Sequence, residues 1–298
     1  MLKKIFMQDK YGEFYLLSKS TKIKPIISVL MSAYNTEIKY LQKSIESVLD
    51  QTFENFEFII INDGANSVTT EFLLNYCKHD DRIKLVYQPN MGITKSLNRA
   101  IKLAQGQYIA RQDTDDIWKN NKLEIQLNLM MDSNIVLIGS YTKILDNNFF
   151  DITEKLPDHL KRLGINNTKQ IQKALTEFNP FYHASILINK DVLSKLGGYN
   201  DDFKYAQDYE LWVRVLKEYE AYIMPEYLLY KVFHSQSITG GTGRNEQRLL
   251  GMKAKYSAMK YFGAPIHKRI RLYSMRSLLS ILPSFFIQKI LYLKSYIK

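Results

Sequence analysis

Between residues 26 and 139, short apolar runs alternate with segments of helical period, and that rhythm restricts the chain to few architectures. The runs are IISVLM (26–31), FEFIII (56–61), IKLVY (83–87), QYIAR (107–111) and IVLIG (135–139), each rich in β-branched or aromatic residues. Between them Leu41, Ile45, Val48 and Leu49 form one helical stripe, and Ile93, Leu97, Ala100, Ile101 and Ala104 another. Strand, helix and strand in succession make βαβ units, whose crossovers cover both faces of a sheet. The expected fold class is therefore α/β, with a mainly parallel sheet flanked by helices. After Gly139 the pattern loosens: a strand is expected at 142–145, a polar stretch at 151–169, a strand at 184–189, a helix over 208–218 and extended chain to about Phe233. Gly240, Gly241 and Gly243 then mark a boundary.

Composition narrows the class. A chain of 298 residues, 46% hydrophobic and 24% charged, has the balance of a globular protein with one large domain or about two smaller ones. The formal charge of +11 is local: residues 244–298 hold twelve Lys and Arg against the single acid Glu246, and the preceding 243 residues balance. Cys77 is the only cysteine, which excludes an intrachain disulfide and a cysteine-based zinc site and suits a reducing compartment. The N-terminus reaches Gln8, Asp9 and Lys10 before a signal-like apolar run can form, so a cytoplasmic location is expected.

In an open parallel sheet, ligands bind beyond the carboxyl ends of the strands. Four polar loops follow the runs: SAYN (32–35), NDG (62–64), NMG (90–92) and DTDD (113–116). Carboxylates at a D-x-D spacing can hold Mg²⁺ or Mn²⁺, hard ions that prefer oxygen and leave positions open for substrate phosphates. In that reading Asp113 and Asp115 take the metal, and Asp116 caps a helix beginning near Ile117. Asp63 either accepts hydrogen bonds from a base or ribose or closes an Asx turn, and Asn35 either serves the ligand or caps a helix.

These motifs, in this order, resemble family 2 glycosyltransferases of the GT-A fold. ISVLMSAYN, FEFIIINDG, NMGITKSLNRAIKLAQGQYIARQDTDD and GGYNDDFKYAQDYELWVRV carry the resemblance, which spans about residues 26–239. It implies an inverting transfer of a sugar from a nucleotide diphosphate, expected to be a UDP-sugar, to a hydroxyl of a glycan or lipid-linked glycan in surface polysaccharide biosynthesis. It implies a nucleotide-sugar-binding half at 26–140 and an acceptor half at 141–240, between an N-terminal extension (1–25) and a basic tail (241–298). Ala33, Tyr34, Asn35 and Asp63 would contact base and ribose, Asp113 the ribose or a metal-bound water, and Asp115 the Mn²⁺ or Mg²⁺ ion. Asp208 would be the general base, contributing typically about 10² to 10⁴ in rate. Three departures stand out: Gln207 replaces the usual Glu beside the base, Asn62 and Ala65 alter the nucleotide loop, and Val232 replaces an Arg upstream of His234, a candidate metal ligand. Arg111 and Lys95 could add positive charge at the phosphates. His183 either approaches the acceptor or is a hydrogen-bonded core histidine, and Trp212 either stacks on a sugar or packs in the core.

The tail interleaves basic and apolar residues, and its longest apolar stretch, 277–287, is broken by Pro283 and too short to span a bilayer. It is expected to lie on an anionic membrane surface, or else to pack on the catalytic domain as a helical hairpin. Two rivals are weighed. A sugar nucleotidyltransferase would need a glycine-rich basic loop where SAYN stands, and a nucleic-acid-binding module would not confine its basic residues to an apolar-interleaved tail.

Overall fold

The computed structural model describes residues 2–19, 24–156, 161–234 and 244–281. The expected boundary at Gly240, Gly241 and Gly243, and the segment around Pro283, lie outside the described residues.

The strands are β1 (Lys3–Asp9), β2 (Gly12–Ser18), β3 (Ile27–Ala33), β4 (Phe56–Asp63), β5 (Ile83–Gln88), β6 (Tyr108–Arg111), β7 (Asp116–Trp118), β8 (Ile135–Leu145), β9 (Leu187–Asn189) and β10 (Glu220–Val232). The helices are α1 (Ile38–Leu49), α2 (Ser67–His79), α3 (Ile93–Leu103), α4 (Lys122–Met131), α5 (Thr168–Leu175), α6 (Lys190–Lys195), α7 (Gln207–Val215), α8 (Arg244–Tyr261) and α9 (Ile266–Ile281). All strands join one sheet in the order β1-β2-β5-β4-β3-β6-β9-β8-β10-β7.

Its centre, β5-β4-β3-β6, is parallel, as the βαβ rhythm predicts. Antiparallel strands extend it on both sides, so the sheet is mixed. Alternate residues of the central strands feed two cores. Val29, Met31, Phe58 and Ile60 face Leu41 and Ile45 of α1, Leu73 of α2 and Leu123 of α4. Leu30, Ile59 and Ile61 face Leu97 of α3, Ile171 of α5 and Trp212 of α7.

Three expectations change. Residues 135–139 and 142–145 form one strand, because β8 pairs with β10 along nearly its whole length. The helix expected from Ile117 starts at Lys122 instead: residues 116–118 are drawn into β7 by antiparallel pairing with β10, so Asp116 is a strand residue and caps no helix. Residues 3–18, set apart as an extension, form a hairpin that pairs through β2 with β5.

The tail also joins the body. Ala254 and Ala258 of α8 are buried in the same core as Trp212 and Leu216, and Lys255 and Lys268 each reach Glu177 at 3.3 Å. On α9, Ile266, Ile270 and Tyr273 remain exposed at a spacing that puts them on one side of the helix. Among the described residues no helix is long and apolar enough to cross a membrane.

Candidate active site

The four polar loops meet at one edge of the sheet because each ends a strand of the parallel centre or follows the next in register. Side chains and backbone then tie them together. Asn35, in the left-handed region at φ 48°, accepts from the backbone N–H of Asn66 at 2.8 Å, while Glu37 occupies the N-cap of α1. Gly64, at φ 72°, lies so close to the neighbouring loop that an added Cβ would stand 2.7 Å from the backbone nitrogen of Asn90. The Thr36 hydroxyl donates to that of Thr114 at 2.8 Å, joining the first loop to the acidic one.

Asp63 is buried, and its oxygens accept from Gln88 Nε2 (2.6 Å) and from the backbone N–H groups of Met91 (2.8 Å) and Gly92 (2.9 Å). It therefore holds the NMG loop against the end of β4. Nearby, Ala33 is buried, Tyr34 is exposed, and Lys95 is exposed in the first turn of α3.

The acidic loop gathers three carboxylates. Asp113, Asp115 and Asp116 each present a carboxylate oxygen within 4.8 Å of the others. The backbone is braced from below: the Ser44 hydroxyl donates to the Asp113 carbonyl at 2.6 Å, and Gln112 Nε2 donates to the Asp116 carbonyl at 2.7 Å. Two cations and an imidazole surround the trio. The Arg111 guanidinium, 2% exposed, pairs with Asp113. Antiparallel pairing puts Lys231 opposite Asp116, with Nζ 3.3 Å from Oδ1. His234 Nε2 lies 2.9 Å from Asp115 Oδ2, and its ring stacks on buried Tyr40 at 4.5 Å between centroids.

The electrostatics follow from this packing. Burial alone would raise Asp113, but Arg111 and then Lys231 outweigh it and hold the carboxyl below the usual range. Asp116, 1% exposed, goes the other way: burial dominates and raises it despite Lys231. Lys231 is pushed up, because Asp116, Asp113 and Asp115 overcome its burial. Carboxylate oxygens with one imidazole nitrogen form a donor set that suits a hard divalent cation.

Asp208 comes from the first turn of α7, just after Ala206, which adopts φ 53°. Its Oδ2 accepts from Asn179 Nδ2 at 2.7 Å. Burial raises the Asp208 carboxyl, and the backbone N–H of Tyr209, Arg111, Asn179 and Arg162 offset this only in part. Arg111 thus acts electrostatically on both Asp113 and Asp208. The Tyr199 hydroxyl, raised mainly by burial, responds to the same three groups.

His183 lies in a 3₁₀ turn, His183–Ser185, with Nε2 2.7 Å from the Tyr199 hydroxyl, and burial followed by Arg111 pushes its pKa well down. It is a neutral, hydrogen-bonded histidine beside the charged cluster. Trp212 is fully buried against Phe181 and His183, so it packs in the core. Sequence reading does not single out Asn179, Tyr199, Arg162 or Tyr40, although Tyr199 lies inside the GGYNDDFKYAQDYELWVRV segment that carries the resemblance and Asn179 lies four residues ahead of His183.

Known proteins share this architecture. The sequence model described as glycosyl transferase family 2 matches residues 28–197. An uncharacterized glycosyltransferase of Haemophilus influenzae is 32% identical over 264 residues, 86% of this chain and 80% of that one. The O-antigen biosynthesis glycosyltransferase WbnJ of Escherichia coli is 32% identical over 201 residues, 67% of this chain and 75% of its own. Among solved structures, S. aureus TarS 1-349 in complex with UDP-GlcNAc superposes with a TM-score of 0.64 at 16% identity, covering 83% of this chain and 70% of that one. A GT-A-type sheet, an acidic loop at its ligand-binding edge and a match across more than half of the sequence converge on one assignment: the chain belongs to glycosyl transferase family 2.

Proposed function

We propose that this glycosyltransferase is a metal-dependent, inverting enzyme that moves a sugar from a UDP-sugar to a hydroxyl of a glycan or polyprenyl-linked glycan during surface polysaccharide assembly. The observation that carries the reading is that Arg111, paired with Asp113 of the trio Asp113, Asp115 and Asp116, also acts electrostatically on the separate carboxylate of Asp208. The donor assignment draws support from TarS, whose complex holds UDP-GlcNAc, and the polysaccharide assignment from WbnJ, an O-antigen biosynthesis enzyme.

Asp115, Asp113 and His234 would hold Mn²⁺ or Mg²⁺, which when bound supplies positive charge to the donor diphosphate. Ala33, Tyr34, Asn35 and Asp63 line the nucleotide, and Arg111 adds a fixed positive charge beside the phosphates. Asp208 takes the proton of the acceptor hydroxyl as that oxygen bonds to the anomeric carbon and the bond to the diphosphate breaks. A partly dehydrated carboxylate is a stronger base than one in water, so the burial that raises Asp208 serves this role. Asn179, donating to Oδ2, holds the carboxylate in place.

The chain works at the inner face of the cytoplasmic membrane, held by the exposed Ile266, Ile270 and Tyr273 of α9 and by the neighbouring Lys268, Arg269 and Arg271. Flotation with vesicles of increasing anionic lipid content tests that part: retention should rise with anionic lipid and fall for Ile270→Asp.

The central test is a donor panel with and without Mn²⁺, read as nucleoside diphosphate release, with the anomeric configuration of the product read by NMR. Metal-stimulated release of UDP with inversion is expected. Pyrophosphate release from a nucleoside triphosphate, or retention of configuration, would overturn the reading.

A further inference from the structure

Residues 2–19 fall outside the stretch matched by the family, yet their hairpin reaches the candidate site through a buried relay. Asp9, the last residue of β1, receives two contacts from Arg99: Nε to Oδ2 at 3.0 Å and Nη2 to Oδ1 at 2.7 Å. Arg99 is only 1% exposed, and its guanidinium sits 4.3 Å from the centre of the Phe14 ring on β2. Its Nη1 donates to Oε1 of Gln88 at 2.7 Å.

A guanidinium has donors only, so this contact decides which way round the Gln88 amide lies. The oxygen faces Arg99, and the nitrogen is left to donate to Asp63 at 2.6 Å. Asp63 in turn gathers the N–H groups of Met91 and Gly92. Charge on β1 is thus linked, through three buried side chains, to the loop that opens α3.

The same hairpin tip also grips the segment that precedes α7. The Tyr11 hydroxyl and Lys10 Nζ both reach Asp201, each at 2.9 Å. Asn98, next to Arg99, donates to Asp201 at 2.9 Å and to the Tyr199 carbonyl at 2.8 Å, and accepts from the Tyr199 N–H at 2.9 Å. The fit is close enough that a Cβ at Gly198 would stand 2.6 Å from Asn98 Oδ1. Segment 199–203 leads directly into α7 and Asp208.

We propose that residues 9–12 form a clasp between the nucleotide loop and the segment carrying the general base, with Asp9, Arg99 and Gln88 as positioning residues for donor binding. This rests on the reading of Asp63 as a nucleotide contact. Without Arg99 the Gln88 amide can turn its oxygen toward Asp63, acceptor against acceptor. The loop at 90–92 then loses its fixed distance from the end of β4.

Calorimetric titration of UDP, GDP and dTDP, each with Mn²⁺, tests the relay in the full chain. Gln88→Leu should weaken nucleotide binding about tenfold and Asp9→Asn about fivefold, the sizes expected for losing charge-assisted contacts. The double variant should bind no worse than Gln88→Leu, because both changes cut one path. In steady-state assays the donor KM should rise by a larger factor than kcat falls. Ile5→Ser, in the middle of β1, should leave nucleotide binding unchanged even where it lowers the melting temperature.

Unchanged binding in Asp9→Asn and Gln88→Leu, with only earlier melting, would overturn the clasp and reduce the hairpin to a stabilising element. Fully additive losses in the double variant would contradict a connected relay. If the wild-type chain binds none of the three nucleotides, the assignment of Asp63 falls, and the relay falls with it.

Discussion

The acidic loop and the first turn of α7 each hold a carboxylate under the influence of Arg111, and they do so in opposite electrostatic settings. Asp113 lies against Arg111 and near Lys231, so it stays ionised although partly buried. Asp208 has a neutral partner, Asn179, and a more distant share of Arg111, so burial wins and its pKa rises. The contrast teaches how one residue type can serve two ends. A carboxylate ringed by fixed cations keeps its charge for binding, whereas one packed among neutral groups is poised to accept a proton.

That contrast can be broken in four places. The largest effect is expected from Asp208→Asn, which keeps shape and removes the base: nucleoside diphosphate release should fall about 10³-fold while nucleotide affinity is retained. Asp115→Ala should lower kcat/KM for the donor about 100-fold, with part of the loss recovered at high Mn²⁺, as metal-dependent activity assays would show. Lys231→Met leaves Asp116 buried without its cation, and urea unfolding should report a loss of about 3 kcal/mol.

The smallest effect is a displacement in pH. Because the base must be ionised and its pKa lies above the ordinary value of 3.8, kcat should fall on the acid side at a higher pH than for an unperturbed carboxylate. Asn179→Ala removes a hydrogen bond to the ionised form, so the acid limb should move to still higher pH. A limb that moved down, or stayed in place, would detach Asn179 from the base.

Much of this was readable in advance. The parallel centre of the sheet and its four loops follow from the near-continuous apolar runs that become β3, β4 and β5, buried on both faces, and from the polar residues that end each run. The hairpin was not readable, because six of the seven β1 side chains are exposed and the strand carries no apolar alternation. Its place in the sheet depends on pairing with β5, about seventy residues away, and on Arg99, whose burial no local pattern announces. Asp116 was misread for a related reason: an acid before Ile117 and Trp118 looks like a cap until β10 arrives to pair with it. The partners of Asp208 were equally hidden, since Asn179 and Arg162, 29 and 46 residues earlier, approach it only in the folded chain.

The most direct test of the division between the two carboxylate environments is Mn²⁺ binding in the presence of UDP, followed by loss of the free-ion electron paramagnetic resonance signal. The wild-type chain and Asp208→Asn should each take up one ion with the same affinity, and Asp115→Ala should take up none in that range. Equal uptake by Asp115→Ala, or its loss in Asp208→Asn, would contradict the account.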